Sequence, residues 1–157
     1  MLDFDYPKHY ADVMNAIAWS LELPEHWTNF FTETGIVHSL NPEKSGKQRR
    51  IVRIRGFVFW EKMLPSVPRD QRPIGVYTKD FSKDACGLVA PLQLFPEERL
   101  RLLLPTFWLR LRVVRCVRQT ASCFEVGLQL VSRHDPDSAA FMIGDESFLG
   151  SENAAKL

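Results

Sequence analysis

Leu109-Arg110-Leu111-Arg112-Val113, with Phe124-Glu125-Val126-Gly127-Leu128-Gln129-Leu130 a short way beyond it, decides the fold class. In the first stretch Leu109, Leu111 and Val113 share one face and Arg110 and Arg112 share the other, the period of two that marks a half-buried strand. The second continues the pattern, and the two read as arms of a hairpin centred near Gln119-Thr120. Working outward, Leu100 to Leu104, Gly87 to Ala90, Ile74 to Lys79 and Phe57 to Trp60 are further short apolar runs punctuated by Gly and Pro, with Pro65 to Pro73 as a loop. Six short strands with tight connections predict a mainly β protein built as a small six-stranded antiparallel barrel.

The flanks read differently. Asp5 precedes Pro7 as an N-cap would, and Tyr10, Val13, Met14, Ile17 and Leu21 recur at helical spacing until Pro24. A second short helix is expected from Pro24 through Trp27, Phe30 and Phe31 to a stop at Gly35. Its apolar residues either pack on the main domain or form a partner-binding or self-association surface. Asn41 to Lys47 reads as a polar linker. Asp135-Pro136 opens an expected C-terminal helix through Ile143, stopped by Gly144. The expected organisation is a helical extension and linker over 1–44, a barrel over 45–132, and a helix and tail over 133–157.

With 157 residues, 45% of them hydrophobic and 25% charged, the chain fits one domain with appendages. A formal charge of +1 provides no global field toward nucleic acid or membrane. No stretch approaches the roughly 20 apolar residues of a membrane helix, and Asp3 and Asp5 replace the basic start of a leader, so a soluble, cytoplasmic protein is expected. Cys86, Cys116 and Cys123 are odd in number and lack metal-ligand spacing, and the hairpin would set Cys116 opposite Cys123 as reduced residues. No cofactor or metal is implied. His134-Asp135 has no accompanying nucleophile motif, and no phosphate-binding glycine loop is present, so an enzyme is not expected.

Positive charge is local: Lys44, Lys47, Arg49, Arg50, Arg53 and Arg55 fall within a dozen residues, opposed nearby only by Glu43. Arg49-Arg50-Ile51-Val52-Arg53 and Asp80-Phe81-Ser82 flank a β-patterned stretch. An arginine fork pairs with phosphate oxygens or with the O6/N7 edge of guanine, and an ionised aspartate accepts from the N–H donors of guanine's Watson–Crick edge. Together they suit a guanine nucleotide. Two plainer readings stand beside this one: a solvated basic linker, and a turn in which Asp80 and Ser82 bond backbone.

This order of elements resembles the PilZ domain, a family of small barrels that bind the bacterial second messenger cyclic di-GMP. The resemblance covers roughly residues 47 to 132. Arg49 to Arg53 matches the family's R-x-x-x-R before the first barrel strand, and Asp80-Phe81-Ser82-Lys83-Asp84-Ala85 matches its D-x-S-x-x-G except at the last position. The Gly127 strand looks like the family's last. The resemblance implies that Arg49 and Arg53 clamp the ligand from an arm that rearranges on binding, with Arg50 a further ligand-binding residue, and that Asp80 and Ser82 hold a guanine. Gln48, before the arginines, does not decide between one nucleotide and an intercalated pair. Ala85 stands where the family has Gly, so either its methyl strains the backbone and obstructs the ligand, or Gly87 takes over the role. The other readings are an adaptor that has lost its ligand and acts through protein contacts, and a barrel that binds RNA or DNA through the same arginines. Of these, a receptor for cyclic di-GMP, without a nucleic acid polymer or membrane as partner, is the expectation.

Overall fold

The alternating stretch around Leu111 forms one wall of a closed barrel in the computed structural model, which describes residues 4–37, 48–62, 64–69 and 71–142. The elements are helix α1 (Tyr6–Ala16) and strands β1 (Ile36–Val37), β2 (Arg49–Ile51), β3 (Arg55–Lys62), β4 (Ile74–Phe81), β5 (Ala85–Ala90), β6 (Arg99–Leu103), β7 (Trp108–Thr120) and β8 (Cys123–His134). Six of these close on themselves in the cyclic order β3-β4-β5-β8-β7-β6, every neighbouring pair antiparallel. Closure removes the free strand edges that an open sheet would leave. Val58, Val76, Leu88, Leu102, Leu111 and Val113 fill the interior, each fully buried.

The barrel is also covered outside. Phe57-Val58-Phe59-Trp60 lacks polar alternation because both its faces are occupied. Val58 and Trp60 point inward, while Phe57 and Phe59 meet Tyr6, Tyr10, Trp108 and Ala140 on the outer face. The hydroxyl of Tyr6 donates to the Leu104 carbonyl at 2.7 Å and that of Tyr10 to the Arg55 carbonyl at 3.0 Å. The N-terminal extension thus packs on the barrel.

Four expected features differ. Asp5 does cap α1, its carboxylate accepting from the Lys8 N–H at 3.1 Å, but the helix ends at Ala16 and Ile17 is extended. A helix advances 1.5 Å per residue and an extended chain more than twice that. Only the latter carries Trp19 flat against Gly75, where an added Cβ would lie 2.2 Å from the indole, and then Leu21 into a cluster with Phe30, Val89 and Cys123. The second helix is likewise a run of turns, with Trp27 bonding back to Pro24, Phe30 to Trp27 and Thr32 to Asn29. Gly35, the expected stop, does sit in the left-handed region at φ +103°.

The C-terminal helix is instead a single 3-10 turn, Ser138–Phe141. The segment is tied to the barrel instead: the Trp108 indole N–H donates to the Asp135 carbonyl at 3.1 Å and to the Asp137 carboxylate at 3.2 Å, and Arg101 donates to the Ala139 carbonyl. The β7–β8 hairpin turns at Ala121-Ser122, because Thr120 pairs with Cys123. Cys116 therefore faces Val126 and not Cys123. All three cysteines are free. The linker expected over 41–47 and the stop at Ile143-Gly144 lie outside the described residues.

Candidate functional site

β2 lies alongside the far end of β4, with Arg50 opposite Phe81 and Ile51 opposite Asp80, while β3 runs alongside the near end. The arginine-bearing segment is therefore a broken continuation of the first barrel strand. The break is filled by Thr78, fully buried, whose hydroxyl donates to the Val52 carbonyl and accepts from the Ile54 N–H at 2.9 Å. β1 pairs with the outer edge of β2, Ile36 opposite Arg50, so from Arg49 onward the arm is bonded on both sides. Its hydrogen bonds include Ile51 N–H to the Gly35 carbonyl at 2.8 Å.

Alternation along this strand separates the arginines. Arg49 turns toward Asp80 and forms an ion pair at 3.2 Å, its own side chain 37% exposed and that of Asp80 only 10%. Arg50 is exposed on the opposite side. Arg53 is nearly enclosed: its Nε donates to the Lys79 carbonyl at 2.8 Å, its Nη1 to the Phe30 carbonyl at 2.7 Å and to Glu33 at 3.0 Å, and its guanidinium lies 4.2 Å from the Phe30 ring centre. Three of its five donors and one face are thus engaged by the chain itself.

Beside the Arg49–Asp80 pair, β5 and β8 present two glycines to each other: Asp80 pairs with Gly87, and Gly87 with Gly127. A Cβ at Gly87 would stand 2.8 Å from Asp80 Oδ1, and one at Gly127 would stand 2.9 Å from Arg115 Nε. The missing side chains leave a hollow of about 150 Å³ bounded by Arg49, Asp80, Gly87, Arg115 and Gly127, with Lys79 and Glu125 at its far side, ion-paired at 2.5 Å. A register shift in β7 between Val113 and Arg115 brings Arg115 opposite Gly127. Strict alternation from Leu111 and Val113 would place Arg115 on the inner face; the bulge keeps it outside.

Ser82 and Ala85 close the β4–β5 turn, the Ser82 N–H donating to the Ala85 carbonyl at 2.9 Å and its hydroxyl reaching the same oxygen at 3.5 Å. Ser82 lines a different hollow, with Phe107, Leu130 and Arg133. Ala85 borders the hollow beyond Arg49, where Arg112 and Arg115 also lie. Its backbone is not left-handed, Glu97 being the sole described non-glycine residue with positive φ, so the expected strain at residue 85 is absent. The structure therefore brings Arg49, Asp80 and Gly87 together, sets Arg53 to one side, and leaves Arg50 and Ser82 facing elsewhere.

Arg115, Lys79 and Glu125 are not among the site residues expected from the sequence. The Asp80-to-Gly87 spacing was the available signal for Gly87, since two strands joined by a tight turn bring such positions opposite one another. Cys86, between Ala85 and Gly87, is no nucleophile: burial pushes its thiol up, and the neighbouring Asp80 adds to the shift. Among the described residues no group of His, Cys, Asp and Glu side chains could hold a metal ion, and no helix is long and apolar enough to cross a membrane.

Compared with known proteins, the chain matches the family model of the PilZ domain over residues 47–142. No curated protein and no solved structure matches it significantly.

Proposed function

Since the chain belongs to the PilZ domain family, whose members are binding modules and generally receptors for cyclic di-GMP, we propose that it binds this nucleotide in the hollow between Arg49 and Arg115 and is not itself an enzyme. The observation that carries the reading is the Arg49–Asp80 pair set against two glycines, 3.2 Å between charges on a floor stripped of side chains. A ligand with both anionic and N–H-donating groups can exchange for that pair. Its phosphate takes the Arg49 guanidinium in paired charge-assisted bonds, and its guanine donors take the Asp80 carboxylate, so that neither charge is left unpaired when the internal bond opens. Arg115 adds positive field at the rim. Signalling would follow from the change at the arm, which is bonded through β1 to the chain leading back into the N-terminal extension.

An adaptor that binds no nucleotide is the second reading, and the engagement of Arg53 by Phe30 and Glu33 is the observation that favours it. Calorimetric titration of the full chain with cyclic di-GMP, against GTP and cyclic di-AMP, separates the two. A saturable signal with cyclic di-GMP alone supports the receptor. Absence of any signal at millimolar ligand supports the adaptor.

A further inference from the structure

The two arginines of the motif occupy different hollows. Arg49 borders the glycine-floored one, and Arg53 borders a second of about 390 Å³ whose other walls come from the N-terminal extension: Trp27, Asn29, Phe30 and Glu33. Lys79 and Glu125 line both, so the two hollows adjoin at that ion pair, with Arg49 and Arg115 in one lobe and Arg53 in the other. The outer lobe has the parts a purine nucleotide needs. Trp27, half-buried, stacks on Phe30 with rings 10° from parallel and 5.7 Å apart, and extends that aromatic surface into the lobe. Arg53 retains its two Nη2 hydrogens, the Nε and Nη1 donors being those engaged by Lys79, Phe30 and Glu33. Glu33, 53% exposed at its side chain, is a carboxylate acceptor beside it.

We propose that this lobe is a second purine-nucleotide subsite, in which Trp27, Asn29 and Glu33, outside the span matched by the family model, join Arg53 inside it, and that it takes the second guanosine unit of a cyclic dinucleotide whose first unit lies against Arg49 and Asp80. The inference rests on the receptor reading and assigns the N-terminal extension a share of the ligand. A base stacks on Trp27, its N–H edge faces Glu33 or Glu125, and the second phosphate approaches Arg53. A ligand with two-fold symmetry meets in this way two lobes that each hold at least one arginine and at least one carboxylate.

The test is titration of full-length wild type, Trp27→Leu, Trp27→Phe and Asn29→Glu with cyclic di-GMP, with each variant's melting temperature measured alongside. Base stacking on an aromatic side chain is worth ~1–3 kcal/mol, so Trp27→Leu should weaken binding about tenfold to a hundredfold while Trp27→Phe largely restores it. Asn29→Glu places a negative charge on an exposed wall of the lobe and should weaken binding several-fold without lowering the melting temperature, which keeps the test decisive if Trp27→Leu is poorly folded. Unchanged affinity in Asn29→Glu, together with unchanged affinity in any folded Trp27→Leu, overturns the second subsite and leaves the Arg49 site standing. Failure of wild type to bind overturns the receptor reading and this inference together.

Discussion

Gly87, two residues beyond the motif's last position, limits the size of the hollow beside Asp80. A methyl there would meet Asp80 Oδ1 at 2.8 Å, and Asp80 is too short and too buried to swing away freely. Overpacking of this kind costs ~1–3 kcal/mol, and if it displaces the Asp80 carboxylate from the ligand by that amount, Gly87→Ala is predicted to weaken cyclic di-GMP binding about fivefold to 150-fold by calorimetry. Ala85 has an extended backbone at the start of β5, so Ala85→Gly should leave affinity within about twofold and reduce stability by no more than ~1 kcal/mol through added backbone freedom. A marked gain of affinity in Ala85→Gly would instead return the motif's glycine role to residue 85. The sequence shows both candidates but not the choice between them, because that depends on which residue lies across the ladder from Asp80. Arg53 illustrates a second limit. Its place in R-x-x-x-R is plain, but its burial depends on the Phe30 carbonyl and Glu33, twenty and more positions away.

Among the elements, β6, β7 and β8 were legible from apolar residues alternating with polar ones, and β3, β4 and β5 from short apolar runs bounded by Gly and Pro. The exceptions have a common cause in tertiary packing. Positions 17–31 carry helical spacing, yet burial of Leu21 and Phe30 and the seat of Trp19 on Gly75 favour extended chain and turns. The loop before β4 is fixed by an element no periodicity reveals: Glu98, fully buried, takes two bonds from Arg69 at 2.7 and 2.8 Å and a third from the Phe95 N–H at 2.7 Å. Removing one partner of a buried pair leaves an uncompensated charge. Arg69→Ala is therefore predicted to destabilise the chain by ~3–5 kcal/mol, read from urea midpoints, and an effect below 1 kcal/mol would mean that Glu98 finds water or another donor.

For the whole molecule, the extension and the barrel unfold as one unit if the tyrosine contacts that join them matter. Burial pushes the Tyr10 hydroxyl up to about 12 and that of Tyr6 higher still, against an ordinary 10. A raised folded pKa on a group that is neutral when protonated means that the unfolded chain releases its proton first. Stability is then fully present below pH 10 and falls as pH rises through 10 toward 12. Melting temperature is predicted to drop across that window, with the increase in tyrosinate absorbance at 295 nm coinciding with loss of the barrel signal. Titration of both tyrosines near pH 10 with the fold intact would contradict the packing described for α1.

The central claim is that Arg49 and Asp80, paired with each other in the free protein, exchange that bond for a guanine nucleotide. The most direct measurement is the dissociation constant for cyclic di-GMP of wild type beside Arg49→Ala at constant salt. Hydrogen bonds to charged groups contribute ~1.5–3 kcal/mol, so a loss of about tenfold to 150-fold is predicted in the variant, measured below its melting temperature, which falls because the buried Asp80 loses its partner. Wild-type binding that survives Arg49→Ala undiminished would contradict it.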